Sequence, residues 1–313
     1  MAGIVVLGAG GLIGRATIAE AERRGIEPVR GIGRSREAPD DMQAGLASWD
    51  CLDLATTDAG TLRGLLGRYL PDVVVNCAGR TDGGPAELAR ANVVVTGAVV
   101  EALDPEQMAS RLVQVGSAAE YGQPTSTTSP SSEEQAARPL SVYGVTKLAA
   151  TQLVLVAART RGLDAAVARV FNPIGAGMPA ASLPGRAVRR IRDAIERGTD
   201  RVEFGPLSHV RDFVDLRDVA DALLTIGLAD SLPDDLLNVG SGTGTTVRSI
   251  PSLVAERLGF TGSITETGDG SPRSWTVSYQ RADIARLARL GWRPRYDLAA
   301  SIDALVGERP GRP

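Results

Sequence analysis

Tyr143 and Lys147 stand four residues apart in a long amphipathic stretch, 141–161, and Ser117 closes an apolar run, 112–117, upstream of them. At about 3.6 residues per turn, positions i and i+4 share a helix face, which brings the Lys147 ammonium beside the Tyr143 side chain. A free phenol titrates near pH ~10 and is no base at neutrality, but a neighbouring cation favours the phenolate and pulls that value down. Ser117 can then share the proton or hold a substrate oxygen. Such a set does the proton half of a hydride exchange between an alcohol and a carbonyl.

The hydride half needs a carrier, and the first residues offer a place for one. Gly8-Ala9-Gly10-Gly11-Leu12-Ile13-Gly14 follows the apolar run 4–7 and opens a helical pattern. At such a turn, backbone N–H groups and the positive helix end hold a dinucleotide pyrophosphate. Gly8, Gly11 and Gly14 satisfy G-x-x-G-x-x-G, whereas G-x-G-x-x-G read from Gly8 fails at Ile13. Leu12 and Ile13 belong to the same cradle.

About 20 residues further on, an acid would accept from the adenosine ribose 2′-hydroxyl and select NAD. The sequence there is Arg30-Gly31-Ile32-Gly33-Arg34-Ser35-Arg36. A guanidinium, with its planar fork of donors and permanent charge, suits a 2′-phosphate, so Arg34 and Arg36 predict NADP, with NAD as the alternative. Asp53, followed by Leu54, is placed to accept from the adenine amino group. Asn76-Cys77-Ala78-Gly79 ends a strand near the nicotinamide ribose.

The elements that must position these groups are legible as alternation. Short apolar runs at 4–7, 28–32, 73–76, 112–117 and 165–171 alternate with helical patterns at 13–24, 61–69, 92–103 and 141–161. Each parallel crossover needs a helix-length connection, so the pattern predicts an α/β fold with a parallel sheet covered on both faces. Residues 123–132, rich in Ser, Thr and Pro, read as a loop bordering the site. From about residue 174 the pattern loosens into pieces with helices at 184–197 and 216–228. It predicts a smaller C-terminal lobe, 174–313, beside a dinucleotide-binding unit, 1–173, with 207–240 returning to the main sheet.

With 34 basic and 37 acidic residues in 313, the formal charge of −3 leaves no footprint for nucleic acid or an anionic membrane. No apolar run reaches about 18 residues and no basic leader precedes residue 4. Cys51 and Cys77 form no spaced pair and no metal pattern, which fits a reducing cytoplasm. The single histidine, His209, argues against a His-centred hydrolase triad or a multi-histidine metal site, and no metal is expected.

With the glycine turn, Ser117, Tyr143 and Lys147 in this order, the chain resembles the extended short-chain dehydrogenase/reductase family, in its nucleotide-sugar branch, over nearly its full length. The resemblance implies a Rossmann-type doubly wound parallel sheet with a smaller C-terminal substrate lobe, and a homodimer. Val115-Gly116-Ser117-Ala118-Ala119-Glu120-Tyr121-Gly122 is similar to the segment with the catalytic Ser/Thr four positions before a Tyr-Gly pair. Ser141-Val142-Tyr143-Gly144-Val145-Thr146-Lys147 is similar to the Tyr-x-x-x-Lys segment, with Val142 and Thr146 in place of the usual Pro and Ser. Asn92 matches the helix asparagine that organises the active site. Arg169-Val170-Phe171-Asn172-Pro173-Ile174-Gly175 resembles the motif whose Asn, here Asn172, contacts the nucleotide diphosphate, with Phe171 on the cofactor side. Arg211, in His209-Val210-Arg211-Asp212-Phe213-Val214, matches a diphosphate-binding arginine, and Arg273 stands as a second. A salt bridge to Asp212 or Asp215 is the structural alternative for Arg211.

The branch inverts, dehydrates or reduces nucleotide sugars. Its dehydratases carry a Glu two residues after the catalytic Ser/Thr; here that position is Ala119, which disfavours a 4,6-dehydratase. Glu120 follows and, if the strand continued, would face away. NADP points to a net reductant, so reduction of a 4-keto-6-deoxyhexose nucleotide is the leading expectation. An epimerase working through a transient ketone is the alternative, and a non-catalytic dinucleotide binder trails both.

Overall fold

The computed structural model describes residues 3–123, 128–268 and 277–307. Strands β1 (Ile4–Leu7), β2 (Val29–Gly33), β3 (Ser48–Cys51), β4 (Val73–Asn76), β5 (Arg111–Ser117) and β6 (Ala165–Val170) run parallel in the spatial order β3-β2-β1-β4-β5-β6. A seventh parallel strand, β10 (Leu236–Val239), lies beside β6. The chain winds outward from β1 to β3, then restarts at β4 in the opposite direction. The crevice at that reversal, outside the carboxyl ends of β1 and β4, is where open sheets of this kind take ligands.

Alternation along β1 shows why both faces need covering. Ile4 and Val6 enter the core shared with α1 (Leu12–Arg23) and α7 (Leu216–Leu228), while Val5 and Leu7 enter the one shared with α2 (Ala59–Tyr69), α4 (Val95–Ala102) and α5 (Val142–Arg161). All four side chains are fully buried.

Strand β3 escaped the sequence reading. Its residues Ser-Trp-Asp-Cys contain no apolar run, because an edge strand buries little beyond one side chain. The expected helix at 92–103 is a π turn at Arg90–Val94 followed by α4, and an unforeseen helix, α3 (Pro85–Ala89), runs directly into it.

The remaining chain builds a second core around Ile191, Phe204, Val254 and Ile302. It comprises α6 (Leu183–Arg197), α8 (Ser249–Leu258) and α10 (Leu298–Gly307), with a parallel pair β8 (Arg201–Phe204) and β12 (Ser263–Glu266). A three-stranded sheet, β7 (Asn172–Ile174), β9 (Val210–Asp215) and β11 (Gly244–Thr246), in the order β11-β9-β7, joins this lobe to the main body. Residues placed by the sequence pattern in the smaller lobe also return to the main one. Leu287, in α9 (Ala285–Arg289), and Trp292 are buried in the core on the α1 and α7 face.

An ionic cluster fastens this return. Glu20, buried on α1, accepts from Arg23 and Arg24, and Arg24 pairs with Asp221 on α7. Arg295 reaches Asp221 at 3.1 Å and Glu20 at 3.4 Å, while Asp218 accepts from the backbone N–H groups of Arg295 and Tyr296 at 3.0 Å. Burial pushes the Glu20 carboxyl up, but the hydrogen bonds from its arginine partners outweigh that and hold it at about 2, against an ordinary 4.5. A carboxyl held low stabilises the fold fully above its ordinary value, and the contribution disappears as pH falls from 4.5 through 2. Glu20→Gln is expected to lower stability by about 2 kcal/mol at neutral pH, below the range for fully buried pairs because the arginines are partly solvated. Denaturant titrations should show the gap between wild type and variant closing below pH ~4; a gap independent of pH would contradict the assignment.

Candidate active site

The glycine turn between β1 and α1 is shaped by contact. Gly8 has φ +70°, and a Cβ there would fall 2.7 Å from the backbone of Ala78; a Cβ on Gly14 would fall 2.5 Å from Gly8 O. Strand end, helix start and the β4 exit therefore meet at van der Waals limits. Helix α1 begins at Gly11 with no side-chain cap and no acid in its first turn, whereas α5, α6 and α7 are capped by Ser141, Ser182 and Asp215. Its first-turn amides, including those of Leu12 and Ile13, are left to an external acceptor, which fits a dinucleotide pyrophosphate.

Around that turn the remaining predicted cofactor residues fall into two groups. Arg34, Arg36, Asp53 and Gly79 are exposed at the carboxyl edge, and Ala78 is half-buried between them and the sheet. Among the described residues neither Arg34 nor Arg36 pairs with a carboxylate. Leu54 and Phe171 are buried, Phe171 with its ring 6.2 Å from that of Tyr121. Asn76, expected near the nicotinamide ribose, is held within the sheet. Its side chain is wholly buried, donates to Gln114 Oε1 at 2.8 Å and accepts from Ala78 N at 3.1 Å, so it braces the strand end.

Lys147 is the most constrained of the catalytic candidates. Buried on α5, it donates from Nζ to Val115 O on β5 at 2.5 Å, two residues before Ser117. Burial pulls its ammonium below the usual range, while the Glu120 carboxylate pushes back. Burial likewise raises the neighbouring Cys77 thiol to about 12, so that group stays protonated. Tyr143, one turn earlier on α5, is half-buried. The following Gly144 lets the helix press against the turn after β5, since a Cβ there would lie 2.5 Å from Ala119 O. The Lys147 ammonium and the helix turn that carries Tyr143 thus lie against the end of β5, where Ser117 stands.

Asn92 reaches this assembly through its π turn. Its Nδ2 donates to Arg80 O and to Thr146 Oγ1, both at 3.0 Å, and its Oδ1 accepts from Arg80 N at 2.8 Å. Thr146 Oγ1 in turn donates to Tyr143 O at 2.8 Å. Asn92 thereby ties the loop after β4 to the helix carrying Tyr143. Thr146, noted in the sequence only as an exchange for serine, forms the link.

Ser117 caps a short turn, Ala118–Glu120, accepting from Ala119 N at 3.2 Å, while its own N–H donates to Glu120 Oε1 at 2.7 Å. The strand ends at Ser117, so side-chain alternation does not govern Glu120 as the sequence reading assumed. The turn folds its carboxylate back beneath the strand, where Arg169 Nε meets Oε2 at 2.8 Å with both side chains buried. Arg169 also lies 4.6 Å over the Tyr121 ring, and Tyr121 OH donates to Asn238 Oδ1 on β10 at 2.6 Å. A charged residue inside the apolar run 165–170 was the available signal for this pair.

On the substrate side, Arg211 on β9 is half-buried and donates to Val210 O at 2.8 Å and Val277 O at 2.6 Å. Among the described residues it meets no carboxylate. Asp212 is occupied by Ser241, Gly242 and Ala282, and Asp215 by Arg217 and Ser301, so the salt-bridge alternative fails. Burial lowers the Arg211 guanidinium to about 10, still charged at neutrality, and burial with the nearby Arg211 charge lowers His209. Asn172 donates to Asp212 O at 2.8 Å, fastening β7 to β9. Arg273 lies outside the described residues, as do residues 124–127 of the loop expected to border the site.

Residues 4–240 match the model of the NAD dependent epimerase/dehydratase family. The chain belongs to this family. It is 35% identical over 310 residues to the dTDP-6-deoxy-L-talose 4-dehydrogenase (NAD(P)(+)) of Kitasatospora kifunensis, covering 96% of this chain and 94% of that one. Identity to the GDP-6-deoxy-D-mannose reductase of Pseudomonas aeruginosa is 30% over 254 residues, with 78% and 82% covered. Among solved structures, MoeE5 in complex with UDP-glucose and NAD superposes with a TM-score of 0.80 at 27% identity over 97% of each chain. The family member described here is thus an enzyme, an NAD(P)-dependent nucleotide-sugar oxidoreductase or epimerase of the extended short-chain dehydrogenase/reductase type.

The Glu120–Arg169 pair makes a stability prediction. Glu120→Gln leaves a buried guanidinium without its counter-charge and is expected to lose about 3 kcal/mol in urea unfolding. Adding Arg169→Met removes the orphaned charge and should recover part of that loss; a double variant less stable than the single would contradict the account.

Proposed function

We propose that this enzyme reduces the 4-keto group of a nucleoside-diphosphate 6-deoxyhexose with NADPH. The observation that carries the reading is the exposed Arg34 and Arg36, without carboxylate partners among the described residues, at the end of β2, where an acid would select NAD. A net reductant fits that cofactor better than redox-neutral epimerisation does. The named activities of two relatives, a 4-dehydrogenase and a reductase on 6-deoxyhexose nucleotides, support the same reaction class. A 4,6-dehydratase is disfavoured because Ala119 occupies the position of its extra acid and Glu120 is committed to Arg169.

When bound, the nicotinamide supplies the hydride. Tyr143 gives its phenolic proton to the sugar oxygen as negative charge develops there, and Ser117 Oγ donates a hydrogen bond to the same oxygen. Lys147, anchored on Val115 O, keeps a positive charge beside the phenolate left behind. Gly8, Gly11, Gly14 and the α1 N-terminus hold the pyrophosphate, and Arg34 and Arg36 the 2′-phosphate. On the smaller lobe, Arg211 meets the substrate diphosphate, a role suited to a half-buried cation whose described partners are all carbonyls.

The protein acts, in this reading, as a cytoplasmic homodimer. Val142, Val145, Leu153 and Val156 form an exposed apolar stripe along α5, and Val94 is exposed at the end of the π turn that packs on the same helix. A stripe of that kind on paired helices suits a second copy of the chain. Both cysteines are free thiols, which fits a reducing compartment.

Incubation with a 4-keto-6-deoxyhexose nucleotide should consume NADPH with formation of the reduced sugar; sugar inversion without net consumption would establish the epimerase instead, and no turnover the binder. Tyr143→Phe is expected to lower kcat by a factor of about 100 to 10,000 while leaving the Kd for the cofactor nearly unchanged. Arg211→Met should raise KM for the nucleotide sugar at least about tenfold, as expected for a lost charge-assisted contact. Sedimentation of Val145→Glu should show monomers where the unaltered chain shows dimers.

A further inference from the structure

Three successive carbonyls at the end of β2 are tied to the edge strand. Leu52 N–H donates to Gly33 O at 2.7 Å, Cys51 Sγ to Arg34 O at 3.4 Å and Trp49 Nε1 to Ser35 O at 3.0 Å. Ser35 Oγ closes the turn on itself by donating to Glu37 O at 2.8 Å. Such a turn, on the surface between an inner strand and an edge strand, would otherwise sample many conformations.

Trp49 is opposite Gly31 in the β2–β3 register, and its indole lies across both glycines of β2. A Cβ on Gly31 would fall 2.7 Å from Trp49 Cε3, and one on Gly33 would fall 2.5 Å from Cη2 and Cζ2. The two glycines leave the groove that the ring fills. A Cβ on Gly10, in the first glycine turn, would lie 3.6 Å from the same Cη2. The indole is therefore wedged between the turn that holds the pyrophosphate and the turn that carries Arg34 and Arg36.

We propose that Trp49 is a positioning residue for cofactor choice, its ring and Nε1–H fixing the backbone from which Arg34 and Arg36 reach the 2′-phosphate of NADP. This rests on the NADPH reading of those arginines and deepens it. The cation fork gains affinity only to the extent that its origin is held before binding, since ordering a loose turn and two long side chains offsets the charge-assisted contacts. Gly31 and Gly33 then serve to admit the ring.

Calorimetric titration of the full-length protein with NADP, NAD, 2′,5′-ADP and 5′-AMP tests this without turnover. Trp49→Phe keeps an aromatic ring over the glycines and deletes the donor. It is expected to weaken NADP and 2′,5′-ADP about five- to tenfold, the size of one lost hydrogen bond, and so to narrow the NADP-to-NAD ratio by that factor. Cys51→Ala, at an exposed position, should narrow the ratio in the same direction by a smaller factor. With Arg34 and Arg36 both changed to Ala, adding Trp49→Phe should move NADP binding no further. If the arginine substitutions narrow the ratio while Trp49→Phe and Cys51→Ala leave it within about twofold of wild type, the inference is overturned and the cofactor reading stands. Equal weakening of NADP and NAD by Trp49→Phe would likewise overturn it, as a general structural effect. An unchanged ratio in the arginine variant overturns the cofactor reading and the inference together.

Discussion

A buried ammonium bonded to a strand carbonyl sets the geometry of this enzyme. Lys147 Nζ on Val115 O holds α5, the helix that carries Tyr143, against β5, the strand that ends at Ser117. Burying a cation is unfavourable unless it is hydrogen-bonded and neutralised nearby. The carbonyl supplies the first condition, and the Glu120 carboxylate, whose charge raises the Lys147 ammonium against desolvation, supplies part of the second.

That single carboxylate also joins the catalytic turn to the far edge of the sheet. Glu120 Oε1 receives the Ser117 N–H and Oε2 receives Arg169; Arg169 covers Tyr121, and Tyr121 OH reaches Asn238 on β10. Asn238 N–H then donates to Glu133 Oε1 at 2.8 Å, and its side chain donates to Ser131 O at 2.9 Å. The network runs from the Ser117 backbone to the segment preceding α5, so the turn after β5 is braced across the sheet. Asn92 braces α5 in turn. The backbone carbonyl of Asn92 in its π turn accepts from Thr96 Oγ1 at 2.8 Å, while its side-chain amide joins Arg80 and Thr146.

What the sequence disclosed follows how local each signal is. Ile4–Leu7 and Val73–Asn76 were readable because strands buried on both faces are continuous β-branched runs, and α7 because its apolar period is uninterrupted. The family was readable from Tyr143, Lys147 and Ser117 because its motif residues are constrained in type and spacing. The edge strand β3 was hidden by its polar composition, and the π turn at Arg90–Val94 by a helical pattern that continues through it. The support roles of Asn76, Thr146 and Arg169 were hidden for another reason. Each depends on a partner distant in sequence, Gln114, Asn92 and Glu120 respectively, and periodicity carries no information about such pairs.

The two lobes divide the electrostatic work. On the main sheet the first turn of α1 has no side-chain cap and the arginines after β2 are exposed without carboxylate partners among the described residues, while Arg211 on β9 has described partners that are carbonyls. Asp212, its chain neighbour, cannot neutralise it because four donors from Ser241, Gly242 and Ala282 hold the carboxylate in the opposite direction. The clamp on Asp212 thus does two things: it fastens β9 to the segments after β10 and near residue 282, and it keeps the arginine beside it unneutralised. Successive strand residues face opposite sides, and with its carboxylate held by Ser241, Gly242 and Ala282, Asp212 leaves the guanidinium beside it in sequence without a counter-charge among the described residues, which is how a strand can carry Arg-Asp in sequence and still present net positive charge.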